Sequence, residues 1–310
     1  MKLLIYGTTS HSNRLAEILM QDNNIEVIDL AKQFCKHAKA RFPIFFYIER
    51  IKKMVLAIYK ADLIYTIFMG NFSKFNFIFF LVAKIFKKTT INHWIGTDVL
   101  IAKKNMHKCA IMQKLIKYNY CGSEILYDEL KEIGIKSEIV PIVLQDIPHY
   151  ISKMPDNHRI LVYLPQGREV FYGLNIVKKL IYKFKDIEFY IVANDSDIFS
   201  GVRNVKILGN VSLSEMNNIY DRISILLRIP EHDGLSLMLL EALAKGKYVI
   251  YKYEFPYTFK AQSYEEAEKA INIILKKEKK PIANQEASKY IAENYSTRLY
   301  INKILEKMHE

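Results

Sequence analysis

The chain has 310 residues, half of them hydrophobic and a quarter charged, which excludes a disordered chain and exceeds what one core usually fills. Its net charge of +12 is uneven: residues 1–150 hold 21 Lys+Arg against 13 Asp+Glu (+8), and the rest hold 24 against 20 (+4). A basic excess favours phosphate-bearing partners, anionic lipid or nucleic acid, although a lysine-rich solvated surface gives the same number. The three cysteines, Cys35, Cys109 and Cys121, are odd in number and not closely paired, so no disulfide framework is expected and a reducing cytoplasm is.

In chain order, residues 2–6 read as a strand that runs into the turn 7–12, Gly-Thr-Thr-Ser-His-Ser, rather than as a cleavable signal. A helix is expected over 13–21, a β–loop–α start without the G-x-G-x-x-G of a dinucleotide site. Apolar runs at 25–30, 62–68, 89–93 and 119–121 alternate with helical stretches at 44–60 and 72–88, which implies a parallel sheet. The helix over 72–86, with Phe75, Phe77, Phe79, Phe80 and Phe86, is read as core. Its apolar run 75–82 is far short of the roughly 20 residues that span a bilayer. Over 36–53, Lys36, Lys39, Arg41, Arg50, Lys52 and Lys53 are interleaved with Phe42, Phe45, Phe46 and Tyr47, a pattern suited to an anionic membrane surface.

The strand at 89–93 leads into His93-Trp-Ile-Gly96-Thr-Asp98, with a His and an Asp around a Gly where open α/β sheets bind ligands. Trp94 is read as packing. Ser123 caps an amphipathic helix that ends at Gly134, a strand follows at 138–141, and the polar stretch 144–158 with Pro148 and Pro155 reads as a linker.

A second alternation begins at 159–164. Its first loop, Pro165-Gln-Gly-Arg168-Glu-Val-Phe-Tyr172-Gly173, carries a single cation. The strand 187–193 ends in Asn194-Asp195-Ser-Asp197, formally a D-x-D that could hold a divalent ion through a diphosphate. It is read as an acidic loop, because it lies deep in the second alternation. The strand 205–208 gives the turn Gly209-Asn210, and a helix follows at 213–220. The run Ile223-Ser-Ile-Leu-Leu is long enough for a buried strand, breaks at Pro230 and Gly234, and resumes as a helix over 237–245 with Gly246 as its C-cap. Such a strand–turn–helix aims free N–H groups and a positive dipole end at the turn, which suits an anion. Asp233 and Glu241 frame it with acceptors for hydroxyls. Donors for phosphate beside acceptors for hydroxyls suit a sugar nucleotide. A strand at 247–251 and helices at 264–276 and 296–308 complete the chain.

The run Asp233-Gly-Leu-Ser-Leu-Met-Leu-Leu-Glu241-Ala-Leu-Ala-Lys-Gly246-Lys-Tyr-Val-Ile250 resembles the E-x7-E segment of retaining, family-4-type glycosyltransferases of the GT-B fold, with Asp233 in place of the first Glu. The resemblance implies an α/β chain of two Rossmann-like parallel-sheet domains around an interdomain cleft. The acceptor side would occupy 1–150, with the helix 296–310 crossing back to it, and the nucleotide-sugar domain 158–292. It implies that Asp233 contacts the donor sugar, that the amides of Gly234, Leu235, Ser236 and Leu237 hold sugar and diphosphate, and that Glu241 binds the ribose. Gly209 and Asn210 resemble the base-contacting turn. The segment from His93 to Asp98 resembles the family's H-x-x-G-x-D. There His93 would touch the sugar or its phosphate, Gly96 would admit the backbone closely, and Asp98 would orient acceptor or sugar. Gly7 joins the donor-side glycines, and the acceptor would enter near the turn 7–12. Arg168 matches the Arg of a Gly-Arg…Lys-Gly loop that neutralises the diphosphate. Tyr172 stands near the place of the Lys, so half of that clamp is missing, with Lys178 and Lys179 as candidates to replace it.

The catalytic set implied is His93, Asp98, Arg168 and Asp233. The activity implied is glycosyl transfer from a nucleotide sugar to a lipid-linked or cell-envelope glycan, with retention and with no metal or other cofactor. The setting is cytoplasmic, peripheral to the inner face of the plasma membrane. No nucleic-acid module is recognisable, so nucleic acid is not an expected partner. Two rival readings are a GT-B sugar-nucleotide epimerase and a non-catalytic basic protein that binds lipid or nucleic acid.

Overall fold

The computed structural model describes residues 2–7, 9–20, 24–30, 43–67, 72–144, 147, 150–277 and 279–307. Lys36, Lys39, Arg41 and Phe42 of the basic–aromatic stretch, and Cys35, lie outside them. The chain divides into two compact units, Met1–Gln145 with Thr297–Glu310, and Asp146–Ser296.

In the first unit, strands β1 (Lys2–Gly7), β2 (Glu26–Asp29), β3 (Leu63–Ile67), β4 (Thr89–Trp94), β5 (Tyr118–Cys121) and β6 (Glu138–Ile139) form one parallel sheet in the order β2-β1-β3-β4-β5-β6. Helices on both faces explain why β3 is buried at every position, with Thr66 as its one hydroxyl-bearing aliphatic side chain, bonded to Asn92. On one face α2 (Pro43–Lys60) and α3 (Lys74–Ile85) pack through Met54, Ile58, Phe79 and Phe80. On the other, Trp94 meets Val99 of α4 (Thr97–Lys104) and Leu126 and Leu130 of α6 (Glu124–Glu132), with α5 (Met106–Gln113) between these two helices in the chain. The Trp94 indole donates to Asn119 Oδ1 at 3.0 Å, so its one polar atom is satisfied inside.

Caps set the helix ends where the sequence expects them. The Ser123 hydroxyl accepts from the Leu126 amide, and Gly134 takes the left-handed φ of 78° just past the helix. The first helix, α1 (Thr9–Leu19), begins inside the stretch read as a turn. Helix α12 (Thr297–Glu306) buries Tyr300 and Ile304, whereas Leu299 is 47% exposed.

The second unit repeats the scheme. Strands β7 (Arg159–Tyr163), β8 (Glu188–Val192), β9 (Val205–Gly209), β10 (Ile225–Arg228), β11 (Tyr248–Tyr251) and β12 (Phe259–Lys260) run parallel in the order β12-β11-β10-β7-β8-β9. Helices α7 (Leu174–Lys183), α8 (Leu213–Tyr220), α9 (Leu237–Ala244), α10 (Tyr264–Lys277) and α11 (Gln285–Asn294) flank it. The two-residue β12 and α11 were not expected from the sequence. Strand order reverses between β7 and β10, and in the first sheet between β1 and β3. In open α/β sheets such a reversal leaves a crevice beyond the strands' carboxyl ends, where ligands bind.

Candidate active site

The loop after β7 and the loop after β10 meet at that reversal. Within residues 165–173, the Arg168 amide donates to the Pro165 carbonyl (3.0 Å), and the Tyr172 amide to those of Arg168 and Glu169 (3.2 and 3.1 Å). Gly173 ends the loop with a φ of 86°, and a Cβ there would lie 2.9 Å from the Ile229 carbonyl oxygen. Only glycine suits both demands. The Glu231 amide then donates to the Phe171 carbonyl at 2.7 Å, which fastens the two loops together.

Arg228, the last residue of β10, is buried, and its guanidinium grips Asp233 in a fork: Nε to Oδ2 at 2.7 Å and Nη2 to Oδ1 at 3.0 Å. Burial works against the guanidinium's charge, and the Asp233 carboxylate outweighs it. The Tyr251 hydroxyl donates to Asp233 Oδ2 at 3.4 Å; burial, then the nearby carboxylate, pushes that phenol far above its ordinary range. The Arg228 guanidinium also lies over the rings of Tyr163 (5.6 Å) and Tyr172 (5.7 Å). On the same loop Arg168, exposed, lies over Phe171 (4.6 Å) and Tyr172 (5.5 Å). The two arginines therefore share one ring.

Helix α9 starts beside this cluster. Ser236 occupies its N-cap without a side-chain capping bond, and its carbonyl takes the Leu239 and Leu240 amides. Among the described residues nothing accepts from the amides of Gly234, Leu235, Ser236 and Leu237. Four donors at the positive end of a helix dipole form a cradle for an anion. One turn on, Glu241 Oε2 accepts the buried Tyr220 hydroxyl at 2.9 Å. At the end of β9, Gly209 has a φ of 67°, and a Cβ there would lie 2.1 Å from Asp195 Oδ1. Asn210 Nδ2 donates to Asp195 Oδ2 at 3.1 Å. Asp195, half of the formal D-x-D, is thus the clasp of the 209–210 turn.

The residues singled out in the first unit are placed differently. Gly7 ends β1 against β3, where a Cβ would lie 2.1 Å from the Ile67 carbonyl oxygen. His93 is fully buried among Tyr65, Tyr120 and Tyr300, all edge-on to its ring. Its Nδ1 pairs with the Tyr65 hydroxyl at 2.5 Å, that hydroxyl pairs with Tyr300 at 2.9 Å, and Nε2 faces the Val140 backbone without a well-formed hydrogen bond. Burial, and after it the nearby His11, pushes the imidazole down to about 3, so the ring is neutral. Asp98 is fully buried too. It turns back on its own loop, with Oδ1 accepting from the amides of Ile95 (3.0 Å), Gly96 (2.8 Å) and Val99 (3.1 Å). Burial lifts it to about 6 in spite of those bonds. Gly96 takes a φ of 135° at this bend.

The structure thus brings Arg168, Asp233 and the 234–237 amides together, with Glu241 one helical turn away. It encloses His93 and Asp98 in the fold. The sequence reading missed Arg228, Tyr251, Tyr163 and Tyr220. One signal was present: a charged residue closing the apolar strand Ile-Leu-Leu-Arg at the end where sheets bind ligands. The candidates to replace the missing lysine do not reach the site as a pair, because Lys179 lies over the Tyr264 ring at 5.6 Å, across α7 towards α10.

No protein-family model and no curated protein matches the chain. Solved structures do. Anabaena HepE, in complex with UDP and glucose, aligns over 99% of both chains with a TM-score of 0.71 at 12% identity. Sucrose-phosphate synthase from Thermosynechococcus elongatus aligns over 100% of this chain and 99% of its own, with a TM-score of 0.70 at 10% identity. The chain has the GT-B fold. A third GT-B structure, the pneumococcal O-GlcNAc transferase GtfA with UDP and GlcNAc, aligns over 84% of this chain and 59% of its own, with a TM-score of 0.58 at 14% identity. In this fold, the reversal between β7 and β10 is the strand-order switch point of the second sheet.

Proposed function

We propose that this chain is a glycosyltransferase that moves a sugar from a nucleoside-diphosphate donor to an acceptor hydroxyl, with retention and without metal, in the manner of the family-4 type. The observation that carries the reading is the cluster at the β7–β10 reversal: an exposed Arg168 and four unmatched amides beside two carboxylates, Asp233 and Glu241. The donor's diphosphate takes the amides and Arg168, which stabilise the charge that grows on it as the glycosidic bond breaks. Glu241, held by the Tyr220 hydroxyl, meets the ribose, Asp233 receives a sugar hydroxyl, and the 209–210 turn meets the base. Asp98 acts through the 95–98 bend it holds in shape, and His93 through its packing among Tyr65, Tyr120 and Tyr300, rather than by touching the sugar.

The similar structures with UDP bound make UDP-sugars the first donors to test. Thermal melting with UDP-, GDP-, ADP- and CDP-sugars, with and without Mg²⁺, should show stabilisation by one nucleotide class, independent of Mg²⁺ and lost in Glu241→Ala. A shift that requires Mg²⁺ would overturn the metal-free reading. Conversion of the donor to its epimer without acceptor would overturn transfer.

The acceptor reading is a lipid-linked or cell-envelope glycan at an anionic membrane surface. Its support is the outer side of α2 and α3, where Leu56, Tyr59, Ile78, Leu81, Ile85 and Phe86 are exposed among Lys52, Lys84 and Lys87. Tyr59 packs edge-on to Phe86 at 5.6 Å, with Lys88 over its other side at 6.0 Å. No helix among the described residues is long and apolar enough to cross a membrane. Sedimentation with vesicles of anionic lipid should carry the wild type down and leave Leu81→Ser/Ile85→Ser in solution. Equal sedimentation of the two would remove this surface from the proposal.

A further inference from the structure

The loop after β7 has Tyr172 near the place where a second diphosphate cation would stand, and the structure puts another cation against that same ring. We infer that Arg228 is the second cation of the donor-diphosphate subsite, delivered from the end of β10 rather than from the loop. The inference rests on the nucleotide-sugar reading and adds a residue to it.

Three observations lead here. The Tyr172 ring has Arg168 at 5.5 Å and Arg228 at 5.7 Å, so the two guanidinium groups flank a single aromatic spacer. Phe171 and Tyr163 pack edge-on to that spacer at 5.2 and 5.1 Å, which fixes it in place. Asp233 occupies only Nε and Nη2 of the Arg228 fork, leaving Nη1 for a further acceptor. Arg228, although buried, is therefore held by its carboxylate through Nε and Nη2, and Asp233 makes no bond to Nη1. A lysine on the loop would serve as a mobile point charge. An arginine anchored by a carboxylate and two rings presents a fixed planar donor instead, which suits a phosphate oxygen. Lys179 lies over the Tyr264 ring, whereas Arg228 lies over the ring of Tyr172 itself.

The test separates the diphosphate from the base. Calorimetric titration compares UDP with uridine on wild type, Asp233→Asn, Arg228→Met/Asp233→Asn, and that double variant with Tyr172→Lys. Removing the pair together avoids leaving the largely covered carboxylate alone, and circular dichroism melting confirms that each variant is folded. UDP affinity should fall roughly tenfold to a hundredfold from Asp233→Asn to the double variant, with uridine affinity unchanged. Tyr172→Lys should restore most of the loss by returning a cation to the loop, a rescue that a purely structural Arg228 would not give. Equal UDP affinity in Asp233→Asn and the double variant would overturn the inference and leave the donor reading standing. A wild type that binds neither UDP nor the other nucleoside diphosphates would overturn both.

Discussion

Two acidic, glycine-containing bends at strand ends, His93 to Asp98 at the end of β4 and Arg228 to Gly234 at the end of β10, come to opposite ends. The first is closed in. Tyr300 covers the His93 ring, Asp98 gives its oxygens to its own backbone, and burial shifts both groups towards their neutral forms. The second keeps a charged guanidinium gripped by Asp233, and the amides that follow it have no acceptor among the described residues. Strand order accounts for the difference. The second sheet reverses at β10 itself, whereas the first reverses between β1 and β3, one strand away from β4. A bend at the reversal opens on a crevice; a bend one strand along is covered by its neighbours. Position in the sheet, more than residue type, separates a ligand-facing motif from a structural one.

The comparison breaks most visibly at the Arg228–Asp233 pair. Arg228→Ala should cost about 3 kcal/mol in urea unfolding, because it strands a largely covered carboxylate, while Arg228→Met/Asp233→Asn should cost far less. Equal losses would mean that the pair is not a coupled ionic unit.

Acid sharpens the contrast from the other side. The unfolded chain protonates His93 near its ordinary value of 6.5, and the folded chain holds it down to about 3, so its contribution to stability is lost as pH falls through that window. Asp98, raised from 3.8 to about 6, works the opposite way, and the fold gains from its protonation as pH falls from about 6 to about 3.8. His93→Gln should therefore reduce the loss of stability between about pH 7 and about pH 4.5 by about 2–3 kcal/mol, and Asp98→Asn should increase it. Urea midpoints at the two pH values read both. Parallel acid limbs for wild type and both variants would contradict the buried placement.

Much of the fold was legible in the sequence. The apolar runs that became β1, β3, β4, β7, β8 and β10 fall within a residue or two of their strands, because a two-sided parallel sheet requires continuous apolar stretches. Short or weakly patterned elements were not legible: the eight-residue α4 and α5, the two-residue β12, and α11. At the site, Asp233 to Glu241 stood out because a strand–turn–helix with framing acids is a local pattern. What escaped depends on distant pairings. Tyr65 meets Tyr300 across 235 positions, and Arg228 meets Tyr172 only because Gly173 lets one loop lie against the other. In α12 it is Tyr300 that is buried and Leu299 that is exposed, and the core of the first unit offers Tyr300 a hydroxyl partner at Tyr65.

The central claim is that nucleotide binds at the β7–β10 crevice and not at the β4 bend. Hydrogen–deuterium exchange of the full chain, with and without saturating UDP, tests it most directly. The account predicts slowed exchange at 168–173, at the 209–210 turn and across 234–241, with the amides of 93–98 unchanged. Slowed exchange at 93–98, with none at 234–237, would contradict it.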